Sequence, residues 1–78
     1  MLIKIKFFGE LKEKMGKRSE VMEIERTSIK KEELIPLLKK SFDLSENEIF
    51  NIAINNSLSK KEAKNGDTVS LHPLYRGG

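Results

Sequence analysis

The sequence MLIKIKFFGE (residues 1–10) opens the chain with alternating apolar and polar side chains. Its apolar side carries three residues, Ile3, Ile5 and Phe7. Lys4 and Lys6 fall on the other side, and a period of two is typical of a β-strand that buries one face. The segment therefore predicts an N-terminal strand, and Phe8 places an aromatic ring on its otherwise polar side.

Two short elements are predicted directly after this strand. The segment ELKEKMG (residues 10–16) has Leu11 and Met15 on one side and ends in Gly16, as a helical turn does. The segment SEVMEIE (residues 19–25) alternates again, which predicts a second strand. The short link between the two strands favours an antiparallel pair.

The main helix is predicted within TSIKKEELIPLLKKSF (residues 27–42). Its apolar residues recur at helical spacing and form one buried face: Ile29, Leu34, Leu38 and Phe42. Pro36 lacks a backbone N–H, and an interior proline costs a helix about 3 kcal/mol. We therefore expect the helix to begin late, near Glu32 or Glu33, or to kink at the proline.

The C-terminal half predicts a loop, a strand, a tight turn and a last strand. Ser45 and Glu48 have capping-box spacing for one helical turn, and NIAIN (residues 51–55) alternates as a strand. A brief reversal is expected near Leu58. In KNGDTVSLHPL (residues 64–74), the asparagine and glycine favour a turn with positive φ, and the strand after it stops at the proline.

These elements predict an α+β fold: a mixed sheet of four to five strands with one main helix packed on one face. The first and last strands are both rich in apolar residues, so we expect them to lie side by side and parallel. The domain is predicted over residues 1–73, with residues 74–78 as an extended, flexible C-terminal tail. The predicted core consists of Ile3, Ile5, Phe7, Leu11, Met15, Met22, Ile24, Ile29, Leu34, Leu38, Phe42, Ile52, Ile54, Val69 and Leu71.

Composition excludes several classes of site. The 78 residues carry 15 basic and 12 acidic side chains, no cysteine and a single histidine. A thiolate nucleophile, a disulfide and a cysteine or histidine metal site are therefore excluded. The charges are interspersed and the aromatic residues are few, which disfavours nucleic-acid binding. No signal peptide or membrane-spanning segment is predicted, so the expected location is the cytoplasm.

The last seven residues, HPLYRGG (residues 72–78), are the remaining place for chemistry. They are either a frayed end or a working tail. Two glycines without side chains can pass through a narrow channel, with Gly77 threading and the Gly78 carboxylate as the reactive group. Ordering such a tail costs about 1–2 kcal/mol per residue, which a partner must supply. Its predicted partner-binding anchors are Leu74, Tyr75 and Arg76.

Four segments together resemble the MoaD/ThiS sulfur-carrier family of ubiquitin-like β-grasp proteins. They are IKIKFFGELKEKMG, NIAIN, NGD followed by TVSLHP, and the final GG. The resemblance covers nearly the whole chain, and the two phenylalanines that end the first strand look closer to the MoaD branch. It implies a β-grasp fold and a carrier with no enzyme activity of its own and no bound cofactor or metal.

The resemblance also implies the chemistry and the partners. Gly78 would be adenylated by a ubiquitin-activating-type (MoeB/ThiF-like) enzyme that uses ATP and Mg, and then converted into a thiocarboxylate. The chain would be the small subunit of molybdopterin synthase, with a MoaE-like large subunit and a tetramer as the implied assembly. Phe8 would belong to the partner-binding patch and Leu74 would anchor the tail.

Other functions remain open at this point. MoaD tails usually carry Pro-Pro and a small residue before Gly-Gly, whereas Arg76 here makes the end similar to that of ubiquitin. The chain could serve another sulfur pathway, such as thiamine synthesis or tRNA thiolation, or modify proteins through Gly78. A small basic interaction or RNA-binding domain is the remaining alternative, suggested by the isoelectric point of about 9.3.

Overall fold

The computed structural model describes residues 1–74. Within them, six strands and two helices follow one another along the chain. In order, they are β1 (Leu2–Phe7), α1 (Gly9–Met15), β2 (Ser19–Glu23), β3 (Ser28–Lys30), α2 (Lys31–Ser41), β4 (Phe50–Ile54), β5 (Glu62–Lys64) and β6 (Thr68–Pro73).

The main sheet has four strands in the order β2-β1-β6-β4. β1 and β6 pair in parallel at its centre, with Ile5 opposite Val69 and Phe7 opposite Leu71. β2 and β4 add antiparallel edges on either side. The predicted parallel pairing of the first and last strands is therefore confirmed, as is the predicted mixed sheet with a main helix.

A second, two-stranded sheet was not predicted. β3 and β5 pair antiparallel, and Ile29 of β3 lies opposite Ala63 of β5. The assignment of Ile29 to the helix face was therefore wrong, although its prediction as a core residue is confirmed. The reversal expected near Leu58 is confirmed, because Ile54 and Ser57 exchange backbone hydrogen bonds in a brief antiparallel bridge. The bridge involves Ser57, however, and the Leu58 side chain is 63% exposed. Strands of three residues are too short to show a period.

Helix α2 begins earlier than predicted. It starts at Lys31, so Pro36 is its sixth residue and lies beyond the positions whose N–H groups have no intrahelical partner. The cap residue makes no side-chain hydrogen bond, but the Lys31 N–H donates to the Lys61 carbonyl oxygen at 2.9 Å. Pairing with the chain beside β5 thus stabilises an early first turn, while Pro36 stays on the exposed side.

The core lies between α2 and the inner face of the sheet. Most of the predicted core is buried, but three members are only partly buried at its edge: Met15, Met22 and Phe42. The Phe42 ring still packs edge-on against Phe7, with ring centres 5.2 Å apart. Four buried apolar residues were missed by the prediction, namely Leu44, Phe50, Ala53 and Ala63, as was the buried Ser70.

Two turns form where glycine residues predicted them. Gly16 ends α1 with φ of 69°, as predicted. In the turn between β5 and β6, the Asp67 N–H donates to the Lys64 carbonyl oxygen, and Gly66 alone supplies the positive φ, at 86°. The asparagine of this turn was expected to share that conformation and does not. At Ser45, a hydrogen-bonded turn to Glu48 forms without a helix.

Candidate functional site

The parallel pairing of β1 and β6 brings two predicted site residues to the same edge of the sheet. Phe8 directly follows β1, and Leu74 directly follows β6. The Phe8 N–H donates to the Leu71 carbonyl oxygen at 3.2 Å, and the Leu74 N–H donates to the Ile49 carbonyl oxygen at 3.1 Å. Both residues are therefore held by backbone hydrogen bonds at this edge, and Leu74 is the last residue that the structure describes.

The Phe8 ring lies on the face of the sheet opposite the core. It stacks on the His72 ring, with the ring centres 4.6 Å apart and the planes inclined by 15°. The Phe8 side chain is still 41% exposed. An aromatic ring that is held on one side and open on the other is a rigid contact surface, because little conformational freedom is lost when a partner covers it.

Sequence reasoning missed the contact between Phe8 and His72, since it treated the histidine as an isolated strand-end residue. The register explains the contact: Phe7 pairs with Leu71, so the next residue on each parallel strand points to the same face. The contact could be inferred from the sequence only if the pairing register of the two strands were known.

An open groove of about 470 Å³ lies beside this stack. Its apolar parts come from Ile49 and Leu74, whose side chains are 46% and 45% exposed, and from Pro73. Gly9 forms the floor where α1 begins, with φ of 55° and close to the Pro73 ring. Ile49 was not predicted as part of a site, because it lies in a loop without apolar periodicity.

The same groove carries negative charge. Glu10 and Glu48 line it, and the Glu48 carboxylate pairs with the Lys14 ammonium at 2.8 Å. Within residues 1–74, no ion pair or hydrogen bond engages the Glu10 carboxylate. Within the described residues, Glu10 therefore gives the groove one negative charge without an ion pair, on a chain whose net charge is +3.

The remaining predicted site residues are Tyr75, Arg76, Gly77 and Gly78, and they lie outside the described residues. Their roles as anchors, threading residue and reactive terminus stay predictions, as does the boundary between residues 1–73 and the tail. Within the described part, no group of three histidine, aspartate or glutamate side chains is placed to hold a metal ion. None of the helices there is long and apolar enough to cross a membrane.

Several solved structures are similar to this chain. A protein assigned as molybdopterin converting factor, subunit 1, from Pyrococcus furiosus superposes with a TM-score of 0.75 at 24% identity, covering 96% of this chain and 99% of that one. SAMP1 from Haloferax volcanii superposes with a TM-score of 0.73 at 20% identity over the full length of both chains. A chain in the complex of subunits 1 and 2 of molybdopterin-converting factor from Helicobacter pylori superposes with a TM-score of 0.61 at 25% identity, also over the full length of both chains.

No protein-family model matches the sequence, and no curated protein is significantly similar to it. The structural likeness over nearly the whole chain shows the fold. The resemblance seen in the sequence is thereby confirmed at that level: the described residues form the β-grasp of ubiquitin-like proteins such as MoaD.

Proposed function

We propose that this chain is a sulfur carrier of the MoaD type, most directly the small subunit of a molybdopterin synthase, and that Gly78 is its working group. The observation that carries the proposal is the joint position of Phe8 and Leu74. A half-exposed aromatic ring lies at the same sheet edge as Leu74, the residue that precedes the predicted tail in the sequence, on a fold shared with subunit 1 of molybdopterin converting factor.

The chemistry begins with activation of a poor electrophile. A Gly78 carboxylate oxygen attacks the α-phosphorus of ATP and pyrophosphate leaves, which forms an acyl-adenylate. A sulfur nucleophile then attacks the acyl carbon and AMP leaves, so that a carbon–sulfur bond replaces the carbon–oxygen bond. ATP and Mg²⁺ belong to the activating enzyme, where the cation neutralises phosphate charge.

The tail has the dimensions for delivery into another protein. Four residues follow Leu74, and four residues span at most about 14 Å when fully extended. Gly77 and Gly78 have no side chains, so a narrow channel admits them. Tyr75 and Arg76 precede the glycines and would contact the mouth of that channel.

Two successive partners are proposed. The first is a MoeB/ThiF-like adenylating enzyme and the second is a MoaE-like large subunit, with a tetramer of two small and two large subunits as the assembly. The Helicobacter pylori complex of subunits 1 and 2 supports a partner of the second kind. Both partners must contact the surface around the tail exit, which comprises Phe8 and the groove beside it. The cytoplasm is the proposed location.

Mass spectrometry tests the carrier role. The chain is incubated with the adenylating enzyme of its own genome, ATP and a sulfide donor, and its terminal peptide is analysed. We expect one oxygen-to-sulfur exchange at Gly78, and none in a variant that lacks Gly78. A wild-type terminus that stays a carboxylate with every adenylating enzyme of that genome would contradict the proposal.

Protein modification is the second candidate, because Arg76 directly precedes Gly77 and Gly78. The same acyl-adenylate would then be attacked by a lysine amine, and an isopeptide bond would form. Immunoblots of the native host would show conjugates of higher mass that disappear when Gly78 is deleted. Their absence, together with a detected thiocarboxylate, would favour the sulfur carrier alone.

A further inference from the structure

The turn between β5 and β6 contains an Asn65–Gly66 pair on the exposed surface. Glycine carries no side chain that would shield its nitrogen, so this pair allows the backbone to react with the asparagine side chain. We propose that Asn65 is a site of spontaneous deamidation and that residue Leu2 of β1 suppresses the reaction in the folded protein.

The reaction needs no cofactor. The Gly66 nitrogen loses its proton and attacks Cγ of Asn65, so that a carbon–nitrogen bond forms, the side-chain carbon–nitrogen bond breaks and ammonia leaves. Water then adds to one of the two carbonyl carbons of the resulting succinimide, the bond from that carbon to the ring nitrogen breaks, and the nitrogen takes up a proton. The products are aspartate, or isoaspartate with one additional methylene group in the main chain.

Both reacting groups are hydrogen-bonded to the same residue. The Leu2 N–H donates to Oδ1 of Asn65 at 2.7 Å, and the Gly66 N–H donates to the Leu2 carbonyl oxygen at 2.8 Å. The attacking nitrogen is therefore kept protonated and the carbonyl under attack is held in place. Because both bonds lead to Leu2, the reaction requires the N-terminal end of β1 to separate from the turn.

The N-terminus reinforces this arrangement. The ammonium of Met1 donates to the Ile24 carbonyl oxygen at 2.6 Å, which ties the residue before Leu2 to the chain beyond β2. The free energy of opening a strand end locally depends on the few hydrogen bonds that hold that end. The rate of deamidation thus reports on the opening of this end of the sheet.

Isoaspartate at this position would loosen the turn. The carboxylate of Asp67 accepts hydrogen bonds from the Asn55 amide at 3.0 Å and from the Lys64 N–H at 2.8 Å, and its carbonyl accepts from the Lys4 N–H. A methylene inserted two residues earlier displaces all three contacts. This end of β6 is about 20 Å along the strand from Leu74, so we expect lower stability with unchanged chemistry at Gly78.

The first experiment compares the folded and the unfolded chain. Wild-type protein is held in mildly alkaline buffer with and without guanidinium, and peptide mapping follows aspartate and isoaspartate at Asn65. Two hydrogen bonds must open in the folded state, so we expect deamidation to be slower there by about tenfold or more. Equal rates, or no reaction in the unfolded chain, would overturn the proposal.

The second experiment removes one of the two bonds. Leu2→Pro deletes the N–H that contacts Asn65, and Leu2→Ala, as the matched control, changes only the side chain. Both are made by chemical synthesis so that Met1 is retained. We expect a severalfold faster reaction in Leu2→Pro and a near wild-type rate in Leu2→Ala. Equal rates in two folded variants would refute the role of Leu2.

Hydrogen exchange provides a measurement that does not depend on the proline variant folding. The Gly66 amide of the wild-type protein should exchange only when its bond to Leu2 opens. Its protection factor should agree with the ratio of the unfolded and folded deamidation rates. A difference of more than about tenfold between the two would show that another step controls the reaction.

Discussion

Replacement of Phe8 by alanine tests the proposed partner surface most directly. The backbone of Phe8 caps α1 without a side-chain hydrogen bond, so the substitution leaves the helix start intact. The ring loses its stacking on His72, which is worth about 0.5–1.5 kcal/mol for aromatic pairs. We therefore expect the free energy of unfolding to fall by about 1 kcal/mol, and the protein to remain folded.

The effect on partner binding follows from the exposed part of the ring. An aromatic side chain buries about 150–250 Å², so the 41% exposed fraction of Phe8 leaves roughly 80 Å² for a partner to cover. At about 25 cal/mol per Å², this surface is worth about 2 kcal/mol. The dissociation constant for the proposed MoaE-like large subunit should accordingly rise about 30-fold.

Isothermal titration calorimetry with the proposed MoaE-like subunit of the same genome measures the dissociation constant, and urea titration measures the free energy of unfolding. Val21→Ala is the matched control, because its side chain is 64% exposed on the same sheet face but lies on the edge strand β2, opposite Lys4. We expect less than a threefold change for the control. A Phe8→Ala variant that is folded and binds as tightly as wild type would refute the assigned surface.

Three further predictions concern stability. Leu38→Ala removes a fully buried side chain of α2 and should lower the free energy of unfolding by about 2–5 kcal/mol in urea titrations. As the control, Leu58→Ala at an exposed position should change it by less than about 0.5 kcal/mol. Similar losses of stability in the two variants would contradict the assigned core. Pro36→Ala restores an N–H for the Glu32 carbonyl and should raise the free energy of unfolding by about 2 kcal/mol, after allowance for a more flexible unfolded chain; a decrease would show that the proline ring packs favourably. Hydrogen bonds from the Asn55 amide and the Lys64 N–H, together with the Lys60 ammonium, lower the pKa of Asp67. The folded form therefore gains stability above the unfolded pKa and loses it as the pH falls through the lower folded pKa. The thermal unfolding temperature of Asp67→Asn should depend less on pH in that acidic range than the unfolding temperature of the wild-type protein. An unchanged pH dependence would show that this carboxylate does not contribute to acid unfolding.

The sequence alone was sufficient where residues repeat with a clear period or carry special backbone freedom. The alternation over residues 2–7 predicted β1, the spacing of Leu34 and Leu38 predicted α2, and Gly16 marked the end of α1. These signals are local, because one strand face or one helix face is enough to show them. The roles of Leu74 to Gly78 were also inferred from the sequence, after composition had excluded cysteine and histidine sites, and they stay predictions.

Only the tertiary structure decided the features that depend on pairing between distant segments. The small sheet of β3 and β5 joins residues more than 30 positions apart, and the same pairing fixes the early start of α2. The stack of Phe8 on His72 and the groove with Ile49 exist because β1 and β6 run in parallel and end together. A periodic pattern reports which face of an element is buried, but not which neighbour covers it. The position of Leu74 at the same sheet edge as the Phe8 ring is therefore a property of the fold.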